Sequence, residues 1–336
     1  MRICLLGEFD VDLDEAMRKT AYYLYKNLSR DHNVLKLNLR NIFSFSFWCS
    51  LRDFRPSLVH YVSGSSLKSF IILKFISKLF NAKSVISIMR PTFSKLSLQF
   101  IRFFKPDLVI VQSLENQKKF KRLGLNTLFF PLVGIETEKF CPAIKQKKAM
   151  LRSDFNLRND AFIALHVGSI KEGRNLKWLI RLQEEFDDVQ ILIVGAVSQG
   201  IEEKILTELK NAGCIIWDSY FKNIEMIYAL ADCYVFPVLS KENLIGKSKA
   251  DCIDMPLSVF EAMACNLPVV STKFGGLPEI FEGGDGLIFV EDFNEFLEAV
   301  KYLKDSNKEI KTHKKVKMYS WSLVSRRIED VYKKLQ

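Results

Sequence analysis

The chain has 336 residues, 48% of them hydrophobic and 26% charged, and its 49 Lys and Arg against 39 Asp and Glu leave a formal charge of +10. That length exceeds what one hydrophobic core usually fills, so two domains are expected, and the basic excess predicts anionic partners without choosing among them. Lys, Arg or Asp interrupts every apolar run well before the roughly 18 residues a spanning helix needs, and Arg2 leads straight into the strand-like ICLLG, which excludes a membrane span and argues against a secretory leader.

RICLLG (2–7) reads as a strand, followed by a helix over about 15–30 and strands VLKLNL (34–39) and LVHYV (58–62). A helix over about 67–80 precedes strands SVISIM (84–89), LVIVQS (108–113) and TLFFPLV (127–133). Short, nearly all-apolar strands separated by helices predict a parallel sheet covered on both faces, a doubly wound domain over 1–140. The polar stretch 139–160, with Pro142 and a cluster of Lys, reads as a linker.

Strands resume at 162–169, 190–195, 214–219, 233–238, 268–272 and 286–290, alternating with helices near 175–187, 201–212, 223–231, 256–265 and 292–304. This predicts a second α/β domain over 141–315, while residues 316–336 supply an amphipathic helix expected to pack back on the first domain. Two Rossmann-like domains in series are expected to face each other across a cleft at the carboxyl ends of their strands. The seven cysteines form no CxxC pair and read as reduced, mostly buried thiols of a cytoplasmic protein.

Three stretches carry candidate chemistry. In IDMPLSVFEAMACNLPVVST (253–272), Glu261 stands inside an apolar helix that Pro256 opens and Asn266 and Pro268 close. Burying an unpaired carboxylate costs several kcal/mol, so Glu261 requires a partner: a nearby Lys or Arg, or hydroxyls of a ligand. Asp254 lies near the helix N-terminus, where negative charge is favoured, and the first-turn N–H groups of Leu257 and Ser258 suit a diphosphate. In HVGSIKEGRNLKWLI (166–180) a strand ends at Val167, Gly168 lets a backbone approach closely, and the cations Lys171 and Arg174 follow; an exposed basic turn explains the same residues. In KFGGLPEIFEGGDGLIFV (273–290), Gly275 and Gly276 allow close passage of a ligand, although ordinary turn chemistry accounts for most of that segment.

With RPSLVHYV, KPDLVIVQS, FFPLVGIETEKFCP, GSIKEGRN, ADCYVFPV, PLSVFEAMACNLPVVST, GGLPEI and the closing YSWSLVSRRIEDVYKKL, the sequence resembles the family-four retaining nucleotide-sugar glycosyltransferases of GT-B fold. The resemblance implies two Rossmann-like domains, the second binding a nucleotide-diphosphate sugar and the first a carbohydrate or lipid-linked acceptor. It implies catalytic roles for Arg174, Glu261 and Asp254, and donor contacts from Gly168, Ser169, Lys171, Leu257, Ser258, Gly275 and Gly276. Cations and helix dipoles would stabilise the departing nucleoside diphosphate, so neither a metal nor a cofactor beyond the donor substrate is expected. Ser169 stands where the family usually has Arg, with Lys171, Lys247 and Lys249 as candidate substitutes. Asp254 falls one position after the family's usual first acid, which here is Ile253. Base recognition is expected near Trp217–Phe221.

Candidates on the acceptor side are Arg18, His60 and Arg90, though for His60 a hydrogen-bonded structural role fits the sequence equally well. Asp10, Asp12 and Asp14 alternate like a metal loop, yet no sharp-turn Gly and no closing Glu follow, so they read as a solvated loop with helix-capping acids. From Leu67 to Lys105 there are eight cations, seven Phe and no Asp or Glu, a composition that suits an anionic membrane surface and a peripheral location on its inner face. The alternative is a Phe-rich core with solvated lysines. No nucleic-acid reading module is present. Competing functions are a non-catalytic nucleotide-sugar-binding or scaffolding protein and a nucleotide-sugar epimerase; GEFDVD and GSIKEG lack the glycines of a dehydrogenase fingerprint.

Overall fold

The computed structural model describes residues 1–336 apart from 11, 14, 92, 144, 196–199, 220, 240–252 and 307. The chain divides into two compact units: unit 1 holds the described residues of Met1–Gly134, Glu242–Met255 and Trp321–Gln336, and unit 2 those of Ile135–Lys241 and Pro256–Ser320.

Unit 1 begins with β1 (Arg2–Gly7), α1 (Ala16–Leu28), β2 (Asn33–Asn38), α2 (Phe45–Phe54), β3 (Leu58–Ser65) and α3 (Leu67–Phe80). It continues with β4 (Lys83–Pro91), α4 (Lys95–Ile101), β5 (Leu108–Val111), α5 (Leu114–Arg122) and β6 (Thr127–Phe129). The six strands are all parallel in the order β2-β1-β3-β4-β5-β6. On one face Leu6, Val59, Ile86 and Val109 of the sheet pack with Phe47, Leu51, Phe70, Leu73, Ile76, Ile101 and Phe120, so α2 to α5 share that side. Right-handed crossovers require this, because every connection but β1 to β2 advances the same way across the sheet.

Periodicity does not announce α2, α4 or α5. Their helices are short and start on serine caps, the Ser44, Ser94 and Ser113 hydroxyls accepting from the N–H groups of Phe47, Ser97 and Asn116. The strand expected to run to residue 133 stops at Phe129, since Pro131 has no N–H to give to a ladder.

Unit 2 contains α6 (Lys145–Asp154), β7 (Phe162–Gly168), α7 (Lys177–Glu185), β8 (Val189–Gly195), α8 (Glu203–Asn211), β9 (Ile215–Trp217) and α9 (Ile224–Leu230). Then come β10 (Cys233–Phe236), α10 (Leu257–Ala264), β11 (Val269–Thr272), α11 (Leu277–Ile280), β12 (Leu287–Val290), α12 (Phe293–Asp305) and α13 (Thr312–Val316). Its parallel sheet runs β12-β11-β10-β7-β8-β9. From β7 the chain builds outward through β8 and β9, then returns to β10 on the other flank, so the topological switch point lies between β7 and β10.

The stretch 139–160 is not a linker. Phe140 is buried against Tyr228 with ring centroids 5.8 Å apart, and Arg152 is buried in unit 2. The Arg152 guanidinium donates to the carbonyls of Leu230 (2.9 Å) and Ala161 (3.1 Å) and to Asp232 (2.5 Å). Lys148 Nζ meets the other Asp232 oxygen at 2.5 Å. Two of the cations that make this segment look solvent-exposed, Lys148 and Arg152, are answered by one carboxylate just before β10.

The last helix, α14 (Trp321–Lys333), belongs to unit 1. Trp321 stacks on Tyr23 of α1 at 5.1 Å, and His32 lies 3.3 Å from Glu329. Gly134 is obligatory beneath it, because a Cβ there would fall 2.4 Å from the Trp321 indole.

Candidate functional site

At the switch point of an open parallel sheet, the first turns of two neighbouring crossovers diverge and leave a crevice outside the carboxyl ends of the strands. In unit 2 the residues there are Gly168 at the end of β7 and Ser169 after it, Pro237 and Val238 after β10, and the start of α10.

Two tyrosines organise α10. The Tyr234 hydroxyl, on β10, lies 2.7 Å from Ser258 Oγ and 3.3 Å from the Val167 carbonyl, tying the helix's first turn to the end of β7. Tyr228, on α9, is fully buried and donates to Glu261 Oε2 at 2.9 Å. Ser258 and Glu261 are three residues apart and therefore share one face of α10. Burial, reinforced by the neighbouring Glu261 carboxylate, pushes the Tyr228 phenol well above its ordinary value, so it stays a neutral donor. A phenol thus holds one oxygen of the Glu261 carboxylate.

Pro256 is the N-cap of α10, in extended conformation, and supplies no capping side chain. The N–H groups of Leu257 and Ser258 belong to a first turn that has no acceptor within its own helix. At the far end Asn266 takes the left-handed conformation, φ 58°, and its N–H bonds to the Met263 carbonyl at 2.9 Å, the termination expected of it.

The β7 side is shaped by His166. Its Nδ1 lies 3.0 Å from the Val235 carbonyl, which can only accept, so Nδ1 carries the hydrogen. Burial, together with the nearby Arg174 charge and against the Val235 bond, lowers its pKa to about 4. The ring is therefore neutral at neutral pH. Its Nε2 is buried with no hydrogen-bond partner among the described residues and would sit 3.0 Å from a Cβ at position 168. Gly168 is needed to clear this ring, whatever a ligand requires.

Ser169 is 2% exposed, with a buried hydroxyl that also has no partner among the described residues. Arg174 is buried at the end of the turn Glu172–Arg174, which Lys171 precedes in a half-buried position. Asn175 follows at φ 56° and donates to the Pro237 carbonyl at 2.9 Å, fastening this turn to the exit of β10. Gly275, at φ 54°, uses the left-handed freedom of glycine, and Gly276 opens α11.

The structure thus gathers Gly168, Ser169, Lys171, Arg174, Leu257, Ser258 and Glu261 on elements flanking one switch point. Sequence reading missed Tyr228, Tyr234 and Asn175; the signal for the tyrosines was a hydroxyl in each of two otherwise apolar elements, which demands a partner once buried. Trp217 lies between Phe155 at 5.1 Å and Phe221 at 5.5 Å beyond β9. Lys247 and Lys249 lie outside the described residues.

The remaining candidates lie in unit 1. Asp254 is buried, accepting from Asn116 Nδ2 at 2.6 Å and Ser113 Oγ at 3.1 Å, with its own N–H on the Met89 carbonyl at 3.0 Å. It braces the start of α5 and β4, and the structure groups it with that unit rather than with α10.

His60 requires correction as an acceptor-side residue. It is fully buried, with Tyr332 Oη 2.5 Å from Nδ1 and Ser87 Oγ 2.7 Å from Nε2, and burial lowers its pKa to about 3. Both nitrogens are engaged, and the ring clasps α14 to the sheet. Arg18 is paired with Glu8 (3.1 Å) and Glu15 (3.4 Å), and Arg90 is half-buried near the end of β4. Asp10 pairs with Lys36 at 2.8 Å and Asp14 lies outside the described residues. Among the described residues no three metal-ligating side chains come together.

Two doubly wound parallel sheets in series, the second carrying an anion-ready helix at its switch point, define the GT-B class of glycosyltransferase architecture. Residues 161–306 match the family described as Glycosyl transferases group 1. An uncharacterized glycosyltransferase of Methanocaldococcus jannaschii is 25% identical over 298 residues, covering 80% of this chain and 66% of the relative. The sulfoquinovosyl transferase SQD2 of Arabidopsis thaliana is 25% identical over 303 residues, 82% of this chain and 56% of the relative. The chain therefore spans between half and two thirds of the length of these relatives. HepE of Anabaena, solved with UDP and glucose, shares the fold at a TM-score of 0.75 and 15% identity over 99% of each chain. No helix among the described residues is long and apolar enough to cross a membrane.

Proposed function

We propose that the protein is a retaining glycosyltransferase that moves a sugar from a nucleotide-diphosphate sugar, held by unit 2, to a carbohydrate or lipid-linked acceptor. The observation that carries the reading is Glu261, buried on the same face of α10 as Ser258 and held by a neutral phenol. A carboxylate so placed would accept from a pair of ribose hydroxyls. The donor's phosphates would meet the N–H groups of Leu257 and Ser258 and the cations Arg174 and Lys171. These groups stabilise the charge that grows on the departing nucleoside diphosphate, which is the main demand of the reaction. A metal ion is not part of this proposal.

HepE was solved with UDP and glucose, which makes UDP-sugars the first donors to test here. In a thermal-shift and donor-only hydrolysis panel of UDP-, GDP- and ADP-sugars, one donor is expected to raise the melting midpoint and be cleaved slowly. Glu261→Gln is expected to lose at least tenfold in donor affinity. If no nucleotide sugar either stabilises the protein or is cleaved, the reading fails. A non-catalytic donor-binding role is favoured by Ser169, which offers a hydroxyl where a second cation would serve; stabilisation without cleavage, with or without acceptor, would decide for it.

A further inference from the structure

The outer side of the α2, α3 and α4 layer of unit 1 carries apolar side chains that the core does not use. The inner sides of these helices place Phe47, Phe70, Leu73, Ile76 and Ile101 in the core. On the outside, α3 exposes Lys68, Ile71, Phe75, Lys78 and Leu79 along one stripe at spacings of three and four, with Phe75 59% exposed. Leu96, Phe100 and Phe103 form a second stripe on α4 and the turn after it, and Phe103 is 63% exposed. Lys74 Nζ donates to the Lys105 carbonyl at 2.9 Å, fastening that turn to α3. Phe75 meets Trp48 of α2 edge to face at 5.8 Å, and Phe45, one turn earlier on α2, is 82% exposed. The apolar side chains of the three helices therefore form one continuous face.

On α3, α4 and the turn after α4 the charges have one sign. Lys68, Lys78, Arg102 and Lys105 are exposed among the aromatic rings, Arg102 lies 5.0 Å from the Phe103 ring centroid, and no Asp or Glu occurs from 67 to 105. We propose that this face docks on an anionic lipid bilayer. The rings would enter the boundary between headgroups and acyl chains while the Lys and Arg stems run along them and hold their charges at the phosphates. A second copy of the chain is a poor occupant, because a two-fold contact would set these cations against their own copies. Docking follows from the surface of unit 1 alone; that it brings the enzyme to a lipid-linked acceptor rests on the transfer reading above.

The test is sedimentation of the full chain with vesicles of equal parts phosphatidylglycerol and phosphatidylcholine, and with phosphatidylcholine alone. At least tenfold more protein is expected on the anionic vesicles, with the difference shrinking in high salt. Phe75→Ser/Phe100→Ser/Phe103→Ser and, separately, Lys68→Gln/Lys78→Gln/Arg102→Gln are each expected to lose at least tenfold in binding while keeping the wild-type melting midpoint. All six side chains are at the surface, so neither variant should unfold. Binding to neither vesicle, equal binding to both, or a dimer that the Phe variant converts to monomer in the absence of vesicle binding would each overturn the proposal. Donor hydrolysis on the same preparations separates the two readings. Protein that cleaves donor without sedimenting rejects docking alone, and protein that sediments without recognising any nucleotide sugar rejects transfer alone.

Discussion

Acid is expected to loosen unit 2 through His166, and the size of the effect follows from its burial. The ring's ordinary value is 6.5 and its folded value is about 4, so the unfolded chain binds the proton more tightly than the native one. The stability this ring contributes is therefore complete above pH 6.5, declines as pH falls, and is gone below about pH 4. A gap of about 2.5 pH units is worth about 3 kcal/mol in full, and about 2 kcal/mol has gone by pH 5. Protonation would also set a second cation beside Arg174 and end the acceptor character of Nε2.

The assay is hydrogen exchange read by mass spectrometry between pH 7.5 and 5, corrected for intrinsic rates, because it follows each unit separately where a single melting curve would not. Peptides of β7 and β8 should lose protection with decreasing pH. His166→Asn keeps an N–H near the position of Nδ1 but cannot titrate. It should be less stable at every pH yet show a flatter dependence by roughly one proton. If the variant's β7 peptides lose protection as steeply as those of the wild type, the assignment to His166 is wrong.

In unit 1 the same logic applies to His60, whose folded value of about 3 extends the loss to lower pH; His60→Asn should flatten the acid dependence of β3 and α14 peptides alone. Tyr228→Phe removes a hydrogen bond to a buried carboxylate, and urea unfolding of unit 2 should register a loss of about 1.5–3 kcal/mol, accompanied by weaker donor binding. Gly168→Ala places a methyl 3.0 Å from His166 Nε2 and should cost about 1–3 kcal/mol by displacing the ring, with a lower melting midpoint as the readout. Arg152→Met removes one of the two cations from Asp232 and should lower the urea midpoint by the equivalent of about 3 kcal/mol, which would confirm that this segment is part of unit 2.

Much of the architecture was legible because parallel strands buried on both faces leave a plain mark. LVIV of β5 and the buried run of β1 have few other uses. What escaped detection was decided by partners distant in sequence. Arg152 and Lys148 look like the cations of a linker until Asp232, some 80 residues later, neutralises them. His60 looks like site chemistry until Tyr332 arrives from the other end of the chain. Helix α5, LENQKKFKR, buries one large apolar side chain, Phe120, and shows no amphipathic rhythm to read.

Glu261 illustrates the limit most directly. Sequence alone identifies an acid in an apolar helix and requires something to answer it, which leaves a protein cation or a ligand. The Tyr228 phenol donates a hydrogen bond to that carboxylate, in a helix whose first turn favours anions. On the proposed reading, one end of α10 meets phosphate while the carboxylate one turn further meets hydroxyls. A nucleoside diphosphate presents those two groups in that order, a short distance apart, and inorganic phosphate or a free sugar presents only one. Discrimination between a whole nucleotide and its fragments should therefore be lost together with Glu261, whereas affinity for inorganic phosphate should not change.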